Sequence, residues 1–182
     1  MKRIAVDMDE VVADVLPKFL TLFEQINGRR PSEEEYNGKK LYALPGGENL
    51  REALYHKGFF ADLALIPGAQ EGIQSLLDDG HEIFFVTAAQ EFRNSLEDKY
   101  DWLLQYFPNI SWRNFVFCGD KSIIGTDYLI DDHAFNLRTF KGKGLLFTAP
   151  HNLSETEFTR VNNWTEVLAF FEREKQGYAT NR

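Results

Sequence analysis

Cys118 is the chain's single cysteine, so no internal disulfide can staple the fold, and a reducing compartment suits it. Long apolar runs are missing too: none approaches the roughly 20 residues that a membrane span requires. The opening MKRIAVDMDE carries two basic residues, but acids follow its short apolar run at once, which is not the pattern of a signal peptide. A cytoplasmic protein without membrane attachment is expected. Basic charge is in deficit, with 20 Lys and Arg against 28 Asp and Glu and a net charge of −8. A nucleic-acid polymer needs a basic footprint, so that class of partner is excluded. A small phosphorylated ligand is not excluded, because one metal ion and one lysine reverse the local field. Repeats and low-complexity segments are absent as well.

What is present suits a soluble globular domain. The 182 residues are 43% hydrophobic and 26% charged, enough for one full core and a small insert. Five short apolar runs, at 3–8, 82–87, 115–118, 127–131 and 144–148, lack polar alternation. That pattern predicts strands covered on both faces, as in a parallel sheet. Cys118, beside Phe115 and Phe117, reads as a small buried apolar residue.

Helical patterns separate most of these runs. DVLPKFLTLFEQIN places Val15, Phe19, Leu22, Phe23 and Ile26 on one face, tolerates Pro17 in its first turn, and stops at Gly28. PGAQEGIQSLLDDG, EFRNSLEDKYDWLLQYF and NWTEVLAFFEREK supply three more. The expected fold is α/β: a Rossmann-like parallel sheet of about five strands with helices on both faces.

Residues 28–64 break the rhythm, being polar, turn-rich and only locally helical. Ser32 with Glu35 resembles a capping box, and 48–56 suits a short helix. This segment reads as a small helical cap over the carboxyl edge of the sheet, where open α/β sheets bind ligands. The core then comprises 1–27 and 65–175, and 176–182 is expected to be a frayed tail.

The chemistry lies at strand ends. IAVDMDE closes an apolar strand in Asp7, Asp9 and Glu10, and DYLIDD closes another in Asp131 and Asp132. Two carboxylates so close repel unless a cation or a proton lies between them. If the two strands are neighbours, four acids converge, and a few hard oxygen ligands with room for water describe a Mg²⁺ site. Thr87 ends a second strand and Lys121 follows a third, supplying the hydroxyl and ammonium donors that phosphate oxygens require. Of the four histidines, only His133 is expected near these acids. Phe59 and Phe60 read either as core packing at the cap hinge or as a nucleobase contact.

In order along the chain, DMDEVVAD, VTAA, GDK and LIDD make the sequence resemble the haloacid dehalogenase-like phosphohydrolases. KGFFADLALIPGAQEGIQSL, DKYDWLLQYF and GDKSIIGTDYLIDD bring it nearest to the 5'(3')-deoxyribonucleotidases. The resemblance implies a Mg²⁺-dependent phosphomonoester hydrolase acting on nucleoside monophosphates through an aspartyl-phosphate. It implies Asp7 as nucleophile and Asp9 as acid/base. Thr87, Ala88 and Lys121 would hold the phosphoryl group, with Phe60 against the substrate. Asp7, the Asp9 carbonyl and Asp131 would bind Mg²⁺, with Asp132 in support. Departures from the family pattern are Glu10 for a usual Gly, TAA for Thr-Ser, and Gly119 for an arginine. Val15 and Leu54 stand where animal nucleotidases place pocket aromatics. A phosphatase of another small phosphometabolite, a phosphotransferase, and a non-catalytic phospho-ligand or metal-binding module are the alternatives.

Overall fold

The structure, a computed structural model, describes residues 1–179. Its elements run β1 (Arg3–Val6), β2 (Ala13–Asp14), α1 (Leu16–Asn27), α2 (Glu33–Tyr36), α3 (Leu50–Ala53), β3 (Ala64–Leu65), α4 (Ala69–Asp78), β4 (Glu82–Thr87), α5 (Ser95–Tyr106), β5 (Phe115–Phe117), β6 (Tyr128–Asp131), α6 (Ala134–Thr139), β7 (Lys143–Phe147), β8 (Thr159–Val161) and α7 (Trp164–Ala179). Six strands form one sheet in the order β5-β4-β1-β6-β7-β8, with every pair parallel. The five expected strands are all there. The sixth, β8, is three residues with one buried side chain, too short and polar to announce itself.

Central strand β1 explains why apolar runs without alternation mark this sheet. Ile4 pairs with Ile83 on one side and Tyr128 on the other. Successive side chains point to opposite faces. Ile4 and Val6 enter a large core with Phe85, Ile130, Leu145 and Trp102, while Ala5 packs with Val86, Leu129, Leu137 and Leu146 in a second core. With both faces covered, neither set can be polar. Cys118 belongs to this second core as a free thiol, as its neighbours suggest. Helices α4 and α7 approach so closely that a Cβ on Gly72 would lie 2.5 Å from the Trp164 ring.

Helix α1 has Pro17 in its first turn and ends at Gly28, whose left-handed φ of 68° lets its N–H reach the Glu24 carbonyl at 2.8 Å. One expectation for this helix fails. Ile26 is 51% exposed, because Leu20 rather than Ile26 joins Phe23 on the buried stripe. Leu20 and Phe23 pack with Tyr36, Leu41, Leu44 and Leu50, giving residues 28–64 a small core of their own. Ser32 and Glu35 form the capping box of α2, and α3 is a four-residue helix inside 48–56. The chain leaves the sheet through β2 and returns through β3, which pair antiparallel. At the other end, α7 continues through Gln176 to Ala179, and residues 180–182 of the expected frayed tail lie outside the described residues. Among the described residues, no helix is long and apolar enough to cross a membrane.

Candidate active site

β1 and β6 are neighbours, so the two acidic strand ends meet. The Asp7 N–H still bonds the Ile130 carbonyl at 2.9 Å, extending the ladder one residue past the strand. The chain then turns sharply, with the Met8 carbonyl accepting from the N–H groups of Val12 and Ala13, both at 2.9 Å. Inside this turn Glu10 adopts φ 59°, the left-handed conformation that favours glycine, and it does so at the position where the family pattern has Gly.

A cavity of about 550 Å³ opens over these strand ends. Core residues Asp7, Asp9, Thr87, Ala88, Lys121 and Asp132 line its floor, and Phe60 lines its wall. Tyr36, Lys40, Leu41, Tyr42, Arg51 and Leu54 of the 28–64 segment face it from above. Val15 and Leu54 both border the cavity, so aliphatic surface stands at those positions. Asp131 does not line it. It is fully buried beneath the floor, where its two oxygens accept from Lys121 Nζ at 2.6 Å, the His133 N–H at 2.8 Å and Asn136 Nδ2 at 3.0 Å.

Lys121 bridges the two strands. Its ammonium lies 2.7 Å from Asp7 Oδ1 and 2.6 Å from Asp131 Oδ2. Burial opposes its charge, but Asp131 and Asp7 outweigh burial and hold the ammonium above its ordinary range. Burial pushes the Asp7 carboxyl up to about 7, a shift that Lys121 opposes and the neighbouring acids reinforce. Asp132 is held below the carboxylate range despite its burial, because His133 Nδ1 lies 2.7 Å from its Oδ1.

Asp7, Asp131 and Asp132 each bring a carboxylate oxygen within 4.8 Å of the others. Among the described residues, buried Asp132 Oδ2 and Asp9 Oδ1 have no hydrogen-bond partner. Clustered hard oxygens with unsatisfied lone pairs fit a Mg²⁺ ion, which keeps several waters and takes only a few carboxylates from the protein.

Two residues here, Lys99 and His151, carry no sequence signal of their own. Lys99 sits mid-helix in α5, where a lysine normally reaches solvent, yet it is 2% exposed. Its Nζ donates to Asp9 Oδ2 at 2.6 Å and Thr87 Oγ1 at 3.0 Å, and lies 4.5 Å from the centre of the Phe60 ring. Thr87 therefore receives a hydrogen bond from inside the fold. Phe60 is 1% exposed and packs on Phe59 and Phe92 while facing the cavity, so it belongs to the core and to the wall. His151 joins His133 beside Asp132, with the two rings 4.7 Å apart, against the expectation that His133 would be the only histidine at the acids. Eighteen residues of sequence hid that pair. Glu10 also faces the cavity, its carboxyl pushed up to about 8 by burial and by Asp132 and Asp14.

Residues 1–176 match the family described as 5' nucleotidase, deoxy (pyrimidine), cytosolic type C protein. A Staphylococcus epidermidis protein, provisionally named a 5'(3')-deoxyribonucleotidase, is 43% identical over 172 residues, covering 93% of this chain and 96% of its own. The 5'(3')-deoxyribonucleotidase of Bacillus subtilis is 37% identical over 169 residues, covering 91% and 96%. Among solved structures, a haloacid dehalogenase-like protein from Agrobacterium tumefaciens superposes with a TM-score of 0.60 at 13% identity, covering 96% of this chain and 99% of that one. That last likeness concerns the fold alone.

Proposed function

The chain belongs to the 5'(3')-deoxyribonucleotidase family of haloacid dehalogenase-like phosphomonoester hydrolases, and on that premise we propose that it removes phosphate from nucleoside monophosphates through an aspartyl-phosphate on Asp7. The observation that carries this reading is the division of labour between two carboxylates at one cavity floor. Asp7 is paired with Lys121, and Asp9, two residues on, is paired with Lys99.

In this mechanism an Asp7 oxygen attacks phosphorus while the bond from phosphorus to the ester oxygen breaks. Asp9 delivers a proton to the departing oxygen. It then takes a proton from water, whose oxygen attacks phosphorus and releases Asp7 and inorganic phosphate. Lys121 neutralises charge on the equatorial phosphoryl oxygens, which otherwise repel the Asp7 carboxylate. Thr87 and the backbone at Ala88, at the end of β4, complete the phosphoryl cradle.

Mg²⁺ would be held by Asp7, the Asp9 carbonyl and Asp132, rather than by Asp131, whose two oxygens are engaged beneath the floor, and it would supply further charge neutralisation.

Residues 28–64 act in this reading as a cap that selects the leaving group, supported by the residues they contribute to the cavity roof. A cytoplasmic setting belongs to the same reading, supported by the single free cysteine. The test is a screen of phosphomonoesters with Mg²⁺ and after exhaustive chelation. Turnover of nucleoside monophosphates that chelation abolishes is the expected result. Preference for an unrelated phosphometabolite would overturn the substrate, and full activity after chelation would overturn the metal site.

A further inference from the structure

Glu10 lines the cavity but takes no part in the mechanism above. It follows Asp9 in the turn that closes β1, and the backbone of that turn is fixed. The Glu10 N–H donates to the Ala13 carbonyl at 2.8 Å, and Trp164 Nε1 donates to the Val11 carbonyl at 2.9 Å. Met8, Val11, Val12 and Ala13 are fully buried. The Glu10 carboxyl has no such support. Among the described residues no donor is hydrogen-bonded to it, and its charged neighbours are Asp132, Asp14 and Asp9 of the core and Lys40 of the cap. Lys40 is itself 4.0 Å from Asp132 Oδ2.

Glu10 therefore costs stability twice: in a backbone conformation that glycine adopts freely, and as an acid set among acids. Residues that carry such costs cluster where a ligand is met. An acceptor left open toward a cavity calls for a ligand that brings a donor.

We propose that Glu10 is a specificity-determining residue whose carboxyl accepts a hydrogen bond from the free sugar hydroxyl of a nucleoside monophosphate. The proposal rests on the nucleotidase reading and names a contact within it. Place decides the partner. In that reading Asp9 reaches the ester oxygen, so the residue beside it meets the part of the leaving group nearest the broken bond. That part is the sugar, not the base. In a deoxynucleoside monophosphate the same short carbon bridge joins the ester oxygen to the free hydroxyl, whether the phosphate is on the 5' or the 3' oxygen. One acceptor therefore serves either ester. Chemistry decides the role: a carboxyl keeps acceptor lone pairs in both of its protonation states.

The test crosses enzyme variants with substrates, using the full chain with Mg²⁺. The substrates are a 2'-deoxynucleoside 5'-monophosphate, its 2',3'-dideoxy analogue and a small aryl phosphate. The parent should show kcat/KM at least about tenfold lower for the dideoxy analogue, which leaves the Glu10 acceptor unpaired. Glu10→Met keeps the length and loses the acceptors, and should bring the two nucleotides within about threefold of each other. Glu10→Gln keeps one acceptor oxygen and should hold most of the preference. No preference in the parent, a preference that survives in Glu10→Met, or an equal loss on all three substrates would each overturn the proposal. Turnover of the aryl phosphate with none of either nucleotide would instead fail the nucleotidase reading, and this contact with it. If Glu10→Met fails to fold, Glu10→Gly, which suits the left-handed backbone, carries the same comparison.

Discussion

Lys99 Nζ stands 2.6 Å from Asp9 Oδ2, reaching the carboxylate from inside the fold across 90 residues of sequence. Its Nζ also donates to Thr87 Oγ1 and lies 4.5 Å from the centre of the Phe60 ring. In the proposed mechanism Lys99 is a positioning residue that ties Asp9 to the cavity wall. Lys99→Met should lower kcat for alkyl phosphates, whose departing oxygen needs a proton, about 10²-fold or more. An aryl phosphate, which leaves without a proton, should suffer much less, and Lys99→Arg should restore part of the loss. An equal loss on both ester types, with a lower Tm, would mark Lys99 as a packing residue only.

Asp7 and Asp9 are chemically alike, so a purely metal-holding role would make their amide variants alike. In the proposed mechanism they differ. Asp7→Asn removes the nucleophile and should abolish turnover. Asp9→Asn keeps it but loses proton transfer, worth roughly 10²–10⁴ in rate. With an aryl phosphate that variant should accumulate a covalent phosphoryl group on Asp7, visible by mass spectrometry of quenched protein. Substantial steady-state activity in Asp7→Asn would rule out this nucleophile.

Glu10 holds a left-handed backbone with a half-buried side chain near Asp132 and Asp14. Left-handed backbone costs a non-glycine residue about 1–2 kcal/mol. Glu10→Gly should relieve that strain and remove an acid set among like charges, so stability in chemical denaturation should rise by about 1 kcal/mol. A fall in stability would mean that Glu10 contributes bonding that outweighs its strain.

Phe60 sits where core and cavity share a wall. Truncating a buried phenylalanine costs about 3–5 kcal/mol. Phe60→Ala should therefore lower the Tm. If Phe60 also touches the leaving group, the variant should change the preference among nucleotides more than the rate with a small aryl phosphate. Equal losses on both would assign Phe60 to the core alone.

His81 lies away from the cavity, its ring 5.5 Å from Phe171 and both nitrogens buried without hydrogen-bond partners. Burial holds its pKa below the ordinary value; the N-terminal ammonium and Lys175 add to this, and Asp79 and Asp127 oppose it. The unfolded chain then takes up the proton first. Its contribution to stability is present above the ordinary histidine pKa and is lost as pH falls. Denaturation between about pH 7 and pH 5 should show a shallower decline in His81→Gln than in the parent. Identical slopes would contradict the assignment.

The sequence disclosed the central strands because they are covered on both faces, which leaves little room for polar residues over four to six positions, and it disclosed the half-buried edge strand β5 by three apolar residues in a row. It disclosed the acids because charge directly after such a strand has no structural reason. What it hid was short or distant. β8 and the β2–β3 pair are two or three residues each, and α6 is six, below the length at which periodicity is readable. Lys99 looks like any helix-surface lysine until the fold brings Asp9 over it. His151 lies beside His133 only because β7 and the Asn152 turn return the chain to the end of β6.

The pairing of β2 with β3 has a consequence for how the chain could be re-engineered. Residues 15–63 depart and return through two adjacent bonded segments, Ala13–Asp14 and Ala64–Leu65, and carry an apolar cluster of their own. No strand of the six-stranded sheet is threaded through them. If this lobe selects the leaving group, a graft made at that seam should exchange it as one piece, provided that Phe59, Phe60 and Leu63, which also pack in the main core, are kept.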